Sequence, residues 1–172
     1  MNTHTQIKSR ERVASHGEVF TAEREVNAMC DLIADECRKY NSTFLEPACG
    51  NGNFLAEILS RKLSAIPKDS DYERKSLIAL SSLYGIDILQ DNITECRRRL
   101  YTLWLSQHEH SAPAQFQAAR ILDHNIICAD TLKPATITLY EWTFPDNDII
   151  PECKPFKLSE EVTGQREIYF TE

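Results

Sequence analysis

The chain has 172 residues, 42% of them hydrophobic and 26% charged, the composition of an ordinary globular domain rather than of a disordered, fibrous or disulfide-stapled chain. A net charge of −7 disfavours a freestanding nucleic-acid binder, because such proteins draw affinity from neutralising phosphates with a basic face. No apolar run nears the ~18 residues that a membrane helix needs, so no membrane contact is expected.

Residues 1–15 read as a polar arm carrying Lys8, Arg10 and Arg12. They contain no apolar core of a signal peptide, and the expected location is cytoplasmic. The six cysteines (Cys30, Cys37, Cys49, Cys96, Cys128, Cys153) form no CxxC pair. They read as reduced, mostly buried thiols rather than as disulfides or zinc ligands. His108 and His110 flank Glu109 in SQHEHSAP, which reads as a solvated loop, and no metal site is assigned.

After HGEVFT (His16–Thr21) a helix is predicted, with Thr21 as N-cap and Glu23 and Glu25 in the first turn, where the helix dipole favours acids. Val26, Met29, Cys30, Ile33, Ala34 and Cys37 recur at helical spacing and give it one apolar stripe. TFLEP reads as a short buried strand, followed by a glycine turn and a helix through NFLAEILSRKLSAI. IPKDSDYERKS reads as a charged surface insertion, with a further helical turn or two at Leu77–Leu80. LYGIDI (Leu83–Ile88) is a second strand and Gln90–Leu105 a helix with Ile93, Cys96, Leu100, Leu103 and Trp104 on one face, its Arg97, Arg98 and Arg99 reading as a solvated helix face. HSAPAQFQAA is loop-like with helix as the alternative, NIICAD (Asn125–Asp130) a third strand, and ITLYEWTF (Ile137–Phe144) a fourth. The stretch from Glu141 to Glu172 holds eight acids and three bases, so residues 146–172 read as an acidic tail behind a domain of residues 16–145.

Strands alternating with helical stretches imply βαβ units and a mostly parallel sheet. Parallel order gathers the loops at the carboxyl ends of the strands along one edge, where ligands bind in such sheets. Three acids fall there. Glu46 precedes a turn in which Gly50 and Gly52 let the backbone approach a ligand, and an acid beside such a turn suits a positively charged group such as an amine. Asp87 ends the second strand, where a carboxylate accepts hydrogen bonds from a ribose diol. Asp130 ends the third behind apolar Ile127 and Cys128, a wall and acceptor suited to adenine and its exocyclic amine. Amine, ribose and adenine together describe S-adenosylmethionine. Glu46 also suits a surface cap, and Asp87 and Asp130 ordinary strand-end turns.

EPACGNGNFL resembles motif I of class I S-adenosylmethionine-dependent methyltransferases, in the form found in the adenine-N6 DNA methyltransferases of restriction–modification systems. YGIDI resembles their acidic second motif and ADTL their third. HGEVFT resembles their G-x-x-x-T-P element, with Ala22 in place of the proline. The resemblance runs from Val13 to Leu132. It implies an α/β, Rossmann-like class I methyltransferase sheet, mostly parallel and truncated after about four strands, with an N-terminal helix. It also implies S-adenosyl-L-methionine as cofactor, with Phe20 and Thr21 near its methionine end. Glu46, Ala48 and Gly50 would hold the amino acid moiety with Asn53 beside them. Asp87 would bind the ribose, Ile88 would pack on the adenine, and Asp130, with Thr131, would meet the adenine amine.

The resembled enzymes carry an Asn/Asp/Ser-Pro-Pro-aromatic motif after the fourth strand, which orients the target amine, and this sequence has none. EWTFPDND (Glu141–Asp148) offers its parts in another order, which leaves Glu141 and Trp142 as the nearest catalytic candidates. The resembled enzymes also continue with further strands and a target-reading region, whereas 28 residues follow Phe144 here. The expectation is a DNA methyltransferase-like protein whose site is completed by a partner subunit or a second copy, with DNA as ultimate substrate. A non-catalytic cofactor-binding or scaffold protein of a restriction or defence assembly, and a small standalone methyltransferase acting on RNA or protein, stay open beside it.

Overall fold

The computed structural model describes residues 21–146 and 148–158 and the backbone of the strand Tyr169–Phe170. Phe20, the polar arm, HGEVFT before Thr21 and residues 147, 159–168, 171 and 172 of the acidic tail lie outside the described residues.

The first helical stretch forms two helices, α1 (Glu23–Leu32) and α2 (Ala34–Arg38), broken at Ile33, whose φ of −121° leaves the helical well. The predicted cap is displaced by one residue. Ala22, extended at φ −67° and ψ 150°, occupies the N-cap position, and its carbonyl accepts the Val26 amide at 3.0 Å. No side chain caps this helix, so Thr21 does not serve as one.

Then come β1 (Phe44–Glu46), α3 (Asn53–Ala65), α4 (Tyr72–Ser81), β2 (Leu83–Asp87), α5 (Gln90–Leu105), α6 (Ala112–Asn125) and β3 (Ile126–Cys128). The charged surface insertion ends in helix, and of the two readings open for HSAPAQFQAA it is the helix that forms. The first turn of α4 is Tyr72-Glu73-Arg74-Lys75, whose charges mask the burial of Tyr72 (1% exposed) and Ser76 (0%). In α6, the Ser111 hydroxyl caps the Ala114 amide at 3.3 Å and Pro113 occupies the first turn, where its missing N–H costs nothing. The loop before it is not solvated throughout. His110 is buried and stacks on Trp104 with 3.6 Å between ring centroids.

β1, β2 and β3 pair in parallel, with Glu46 opposite Gly85 and Asp87 opposite Cys128. β6 (Tyr169–Phe170) pairs in parallel with the other side of β1, so the order is β3-β2-β1-β6. The stretch expected as a fourth strand is a strand, β4 (Thr138–Thr143). It pairs antiparallel with β5 (Glu152–Lys157) as a separate hairpin instead of extending the parallel sheet.

Strand alternation explains the layering. Phe44, Leu83 and Ile126 share one face of the sheet and join the main core with the helices, including Leu55 and Leu59 of α3 and Leu100 and Trp104 of α5. Leu45, Tyr84 and Ile86 face the other way and pack with Ile137, Leu139 and Leu158 of the hairpin and its flanks. Both faces are covered, as a parallel sheet requires.

One buried cation anchors the amino edge of the sheet. Lys62 of α3 is 0% exposed, and its Nζ donates to the Lys39 carbonyl and to Ser82 Oγ, each at 3.0 Å, and also to the carbonyls of Tyr40 and Ser42. Burial pushes this ammonium down to about 7. No helix among the described residues is long and apolar enough to cross a membrane.

Candidate functional site

β1 ends at Glu46, 9% exposed, and the chain turns sharply. The Cys49 amide donates to the Ile86 carbonyl at 2.9 Å, which carries the turn on alongside β2. Gly50 (φ 51°) and Gly52 (φ 84°) adopt left-handed conformations that other residues reach only with strain. Gly52 has a second reason to be glycine: a Cβ there would stand 2.5 Å from Cys96 Sγ. Gly85, beside Glu46 in β2, makes room from below. A Cβ at that position would meet Leu55 Cδ1 at 2.8 Å and Cys49 Sγ at 3.1 Å.

The next strand end clamps this turn. The Gly50 amide donates to Asp87 Oδ2 at 2.9 Å, while Asp87 Oδ1 accepts the Leu89 amide at 2.8 Å and Asn92 Nδ2 at 3.3 Å. Asp87 therefore holds the glycine turn and the start of α5 together. Beside it Ile88 leaves 53% of its surface exposed, an apolar side chain facing solvent at the strand end.

α5 supplies the rest of the support through one stripe. Asn92 reaches Asp87, Cys96 lies under Gly52, and Arg99 Nη1 donates to the Asn51 carbonyl at 2.9 Å and to Asn53 Oδ1 at 2.8 Å. Residues four and then three apart stand on one helix face, so all three meet the turn. Asn53 Nδ2 in turn donates to the Thr21 carbonyl at 3.0 Å. Asn51 Oδ1 is buried and accepts no hydrogen bond from any described residue. The Cys49 thiol is held well above its ordinary range, first by its hydrogen bond with Cys96, then by burial and the carboxylates of Asp87 and Glu46. Such a thiol is a packing group and not a nucleophile.

The third strand end lies alongside. The Ala129 amide donates to the Asp87 carbonyl at 3.0 Å, and Asp130 follows. Asp130 accepts the Leu132 amide on Oδ1 at 3.0 Å and pairs with Lys133 through Oδ2 at 3.3 Å. Thr131 is half-buried next to it and Leu132 is 90% exposed.

The structure thus gathers Thr21, Glu46, Gly50, Asn53, Asp87, Ile88, Asp130 and Thr131 along the carboxyl edge of three adjacent strands, a width on the order of 10 Å. Ala48 is exposed in the turn. Glu141 and Trp142 do not join them. Trp142 Nε1 donates to Asn125 Oδ1 at 2.8 Å, and Asn125 Nδ2 binds the carbonyls of Ser81 and Leu83, at the amino ends of the strands. Glu141 lies next to Trp142 in β4, opposite Lys154.

Asn92, Cys96 and Arg99 were invisible as site residues in the sequence. Arg97, Arg98 and Arg99 read as a solvated basic run, yet Arg97 binds the Ile126 carbonyl at 2.8 Å, Arg98 pairs with Glu95, and Arg99 braces the turn. The available signal was the spacing of Arg99 from Cys96 and Asn92 on the face that the apolar stripe turns inward.

Among the described residues no group of three or more His, Cys, Asp or Glu side chains is arranged to hold a metal ion. The edge offers acceptors (carboxylates on three strand ends and the unpaired Asn51 Oδ1) beside an apolar surface at Ile88. That set fits a ligand with a cationic donor, further hydroxyl or amine donors, and a flat apolar part. No family model, curated protein or solved structure matches the chain.

Proposed function

We propose that the chain binds S-adenosylmethionine at the carboxyl edge of its parallel sheet and is a Rossmann-like, class I methyltransferase-type protein of the adenine-N6 DNA kind. The observation that carries this reading is the clamp of the glycine turn after β1 by the acid at the end of β2, beside the strand at which the order of strand addition switches sides in an all-parallel sheet. β1 lies between β2, reached through α3 and α4, and β6, reached last. Ligands in open parallel sheets sit at such a switch point.

The residues fit the cofactor. Glu46 and the orphan Asn51 Oδ1 supply acceptors for the α-ammonium, and the amides that open α3 stand near its carboxylate. Asp87 keeps acceptor capacity beyond the Gly50, Leu89 and Asn92 donors, since two carboxylate oxygens offer about four lone-pair sites. The one remaining site meets a hydroxyl of the ribose, Ile88 packs on the adenine, and Asp130 with Thr131 faces its amine. When bound, the cofactor supplies an electrophilic methyl group; the chain's own residues bind and orient it.

The group that accepts the methyl is not assigned to this chain. Glu141 and Trp142 belong to the opposite edge, where Trp142 is engaged with Asn125. A partner subunit or second copy therefore brings the target-orienting groups, with DNA as substrate, or the chain binds the cofactor without turnover in a restriction or defence assembly. The test is transfer of labelled methyl from S-adenosylmethionine to DNA, by the chain alone and with the protein encoded beside its gene. Transfer only with the second protein supports the two-chain reading. Binding without transfer in either case supports the non-catalytic one, transfer by the chain alone that rises with its self-association supports the second-copy one, and efficient transfer by the monomeric chain alone contradicts all of them.

A further inference from the structure

Both ends of the Asn53 side chain are engaged by the protein. Nδ2 donates to the Thr21 carbonyl at 3.0 Å, and Oδ1 accepts from Arg99 Nη1 at 2.8 Å. The same Nη1 donates to the Asn51 carbonyl at 2.9 Å. One guanidinium nitrogen thus spends both hydrogens on the glycine turn, and one amide joins α5 to the segment leading into α1. Thr21 and Arg99 lie 32 and 46 residues from Asn53, so the link is tertiary.

The chemistry of the partners fixes the amide's orientation. Arg99 is a donor only and a backbone carbonyl an acceptor only, so oxygen must face the first and nitrogen the second. Few other side chains of this size present a donor and an acceptor on one rigid plane. The backbone is held as well, because Asn53 is the first residue of α3.

Resting on the cofactor reading above, we propose that Asn53 is a positioning residue: anchored by Arg99, it fixes Thr21 against the glycine turn at the amino acid end of the cofactor site. It does this in place of contacting the cofactor itself. The adenosine end is assigned to other residues, Asp87 at the end of β2, Ile88 beside it and Asp130 after β3, and none of these hydrogen-bonds Thr21, Asn53 or Arg99; Asp87 meets the glycine turn separately, at the Gly50 amide. Loss of the tether therefore weakens one end of the ligand and spares the other.

Asn53→Asp in the full chain isolates the tether. The variant is isosteric, keeps an acceptor for Arg99 and places a carboxylate in a first helical turn, where the dipole favours it. It removes the donor to Thr21. The probes are S-adenosylmethionine and 5′-methylthioadenosine, which has the adenine and ribose but no amino acid. The expected result is about a tenfold loss of affinity for S-adenosylmethionine, with 5′-methylthioadenosine held to within about twofold. Equal loss for both probes, or no loss for S-adenosylmethionine, overturns the proposal. If the unaltered chain binds neither probe, the cofactor reading fails and hydrogen exchange judges the tether alone. Faster exchange in the variant at the Val26 amide, whose bond to Ala22 opens α1, supports the positioning role, and an unchanged rate overturns it.

Discussion

The Gly50 amide donates to Asp87 Oδ2 at 2.9 Å across 37 residues of sequence, so the glycine turn and the acid of the neighbouring strand form one unit. Asp87, proposed above as a ligand acceptor, is therefore a structural clamp as well. Asp87→Ala strips the acceptor from the Gly50 and Leu89 amides and is expected to cost about 1–3 kcal/mol of stability in urea unfolding. Asp87→Asn is expected to be nearly as costly. An amide has one acceptor oxygen where the carboxylate uses two, and its NH₂ would face either Gly50 N–H or Leu89 N–H. A stable Asp87→Asn protein would mean that the clamp contributes little.

Gly52 carries two constraints that a double variant separates. Gly52→Ala places a Cβ 2.5 Å from Cys96 Sγ and forces alanine to φ 84°, an expected loss of about 1–3 kcal/mol. Cys96→Ala removes the clash but not the backbone strain. The pair is therefore expected to be less destabilised than the sum of the single variants, by about 0.5 kcal/mol or more in thermal unfolding. Strict additivity would place all the cost in the backbone.

The carboxyl-edge placement of Glu46, Asp87 and Asp130 was legible in the sequence, because alternating strands and helices imply a parallel sheet whatever its details. The support for those residues was not. Arg99 reads as one of three solvated arginines until α5 is laid against the turn. β4 alternates like any half-buried strand, and nothing in its composition distinguishes a parallel edge from an antiparallel hairpin. The helices α4 and α6 begin in charged or Pro- and Ala-containing stretches, and there tertiary burial of Tyr72, Ser76 and Ala114 overrides weak local signals.

Lys62 sets a pH dependence at the opposite edge. Burial lowers its pKa to about 7 in the folded chain from 10.5. Between those values the unfolded chain holds more protons, so this group makes stability rise with pH through that window. Lys62→Met removes that rise and leaves the carbonyls of Lys39, Tyr40 and Ser42 without their donor. Urea midpoints from about pH 7 to about pH 9.5 are expected to climb more for the unaltered chain than for Lys62→Met. Parallel curves would show that Lys62 stays charged in the fold.

His110 acts in the acid range. Burial lowers its pKa from 6.5, against a raising contribution from its hydrogen bond to the Trp104 carbonyl and from the nearby Glu73 carboxylate, while His108 and Lys68 lower it further. Its Nδ1 is buried without a hydrogen bond from any described residue, 4.0 Å from Glu73 Oε1. The unfolded chain takes up the proton first as pH falls, so stability is lost below about 6.5. His110→Phe, which keeps a ring against Trp104, is expected to lose less stability between pH 7 and 5 in thermal unfolding than the unaltered chain does.

Binding of S-adenosylmethionine at the carboxyl edge, as proposed, is measured by calorimetric titration of the full chain with that cofactor, with Asp87→Ala titrated alongside. Saturable binding at one site per chain, weakened about 10- to 150-fold by Asp87→Ala in a protein that remains folded, is the predicted result. Absence of binding by the folded, unaltered chain, or binding that Asp87→Ala leaves unchanged, would contradict it.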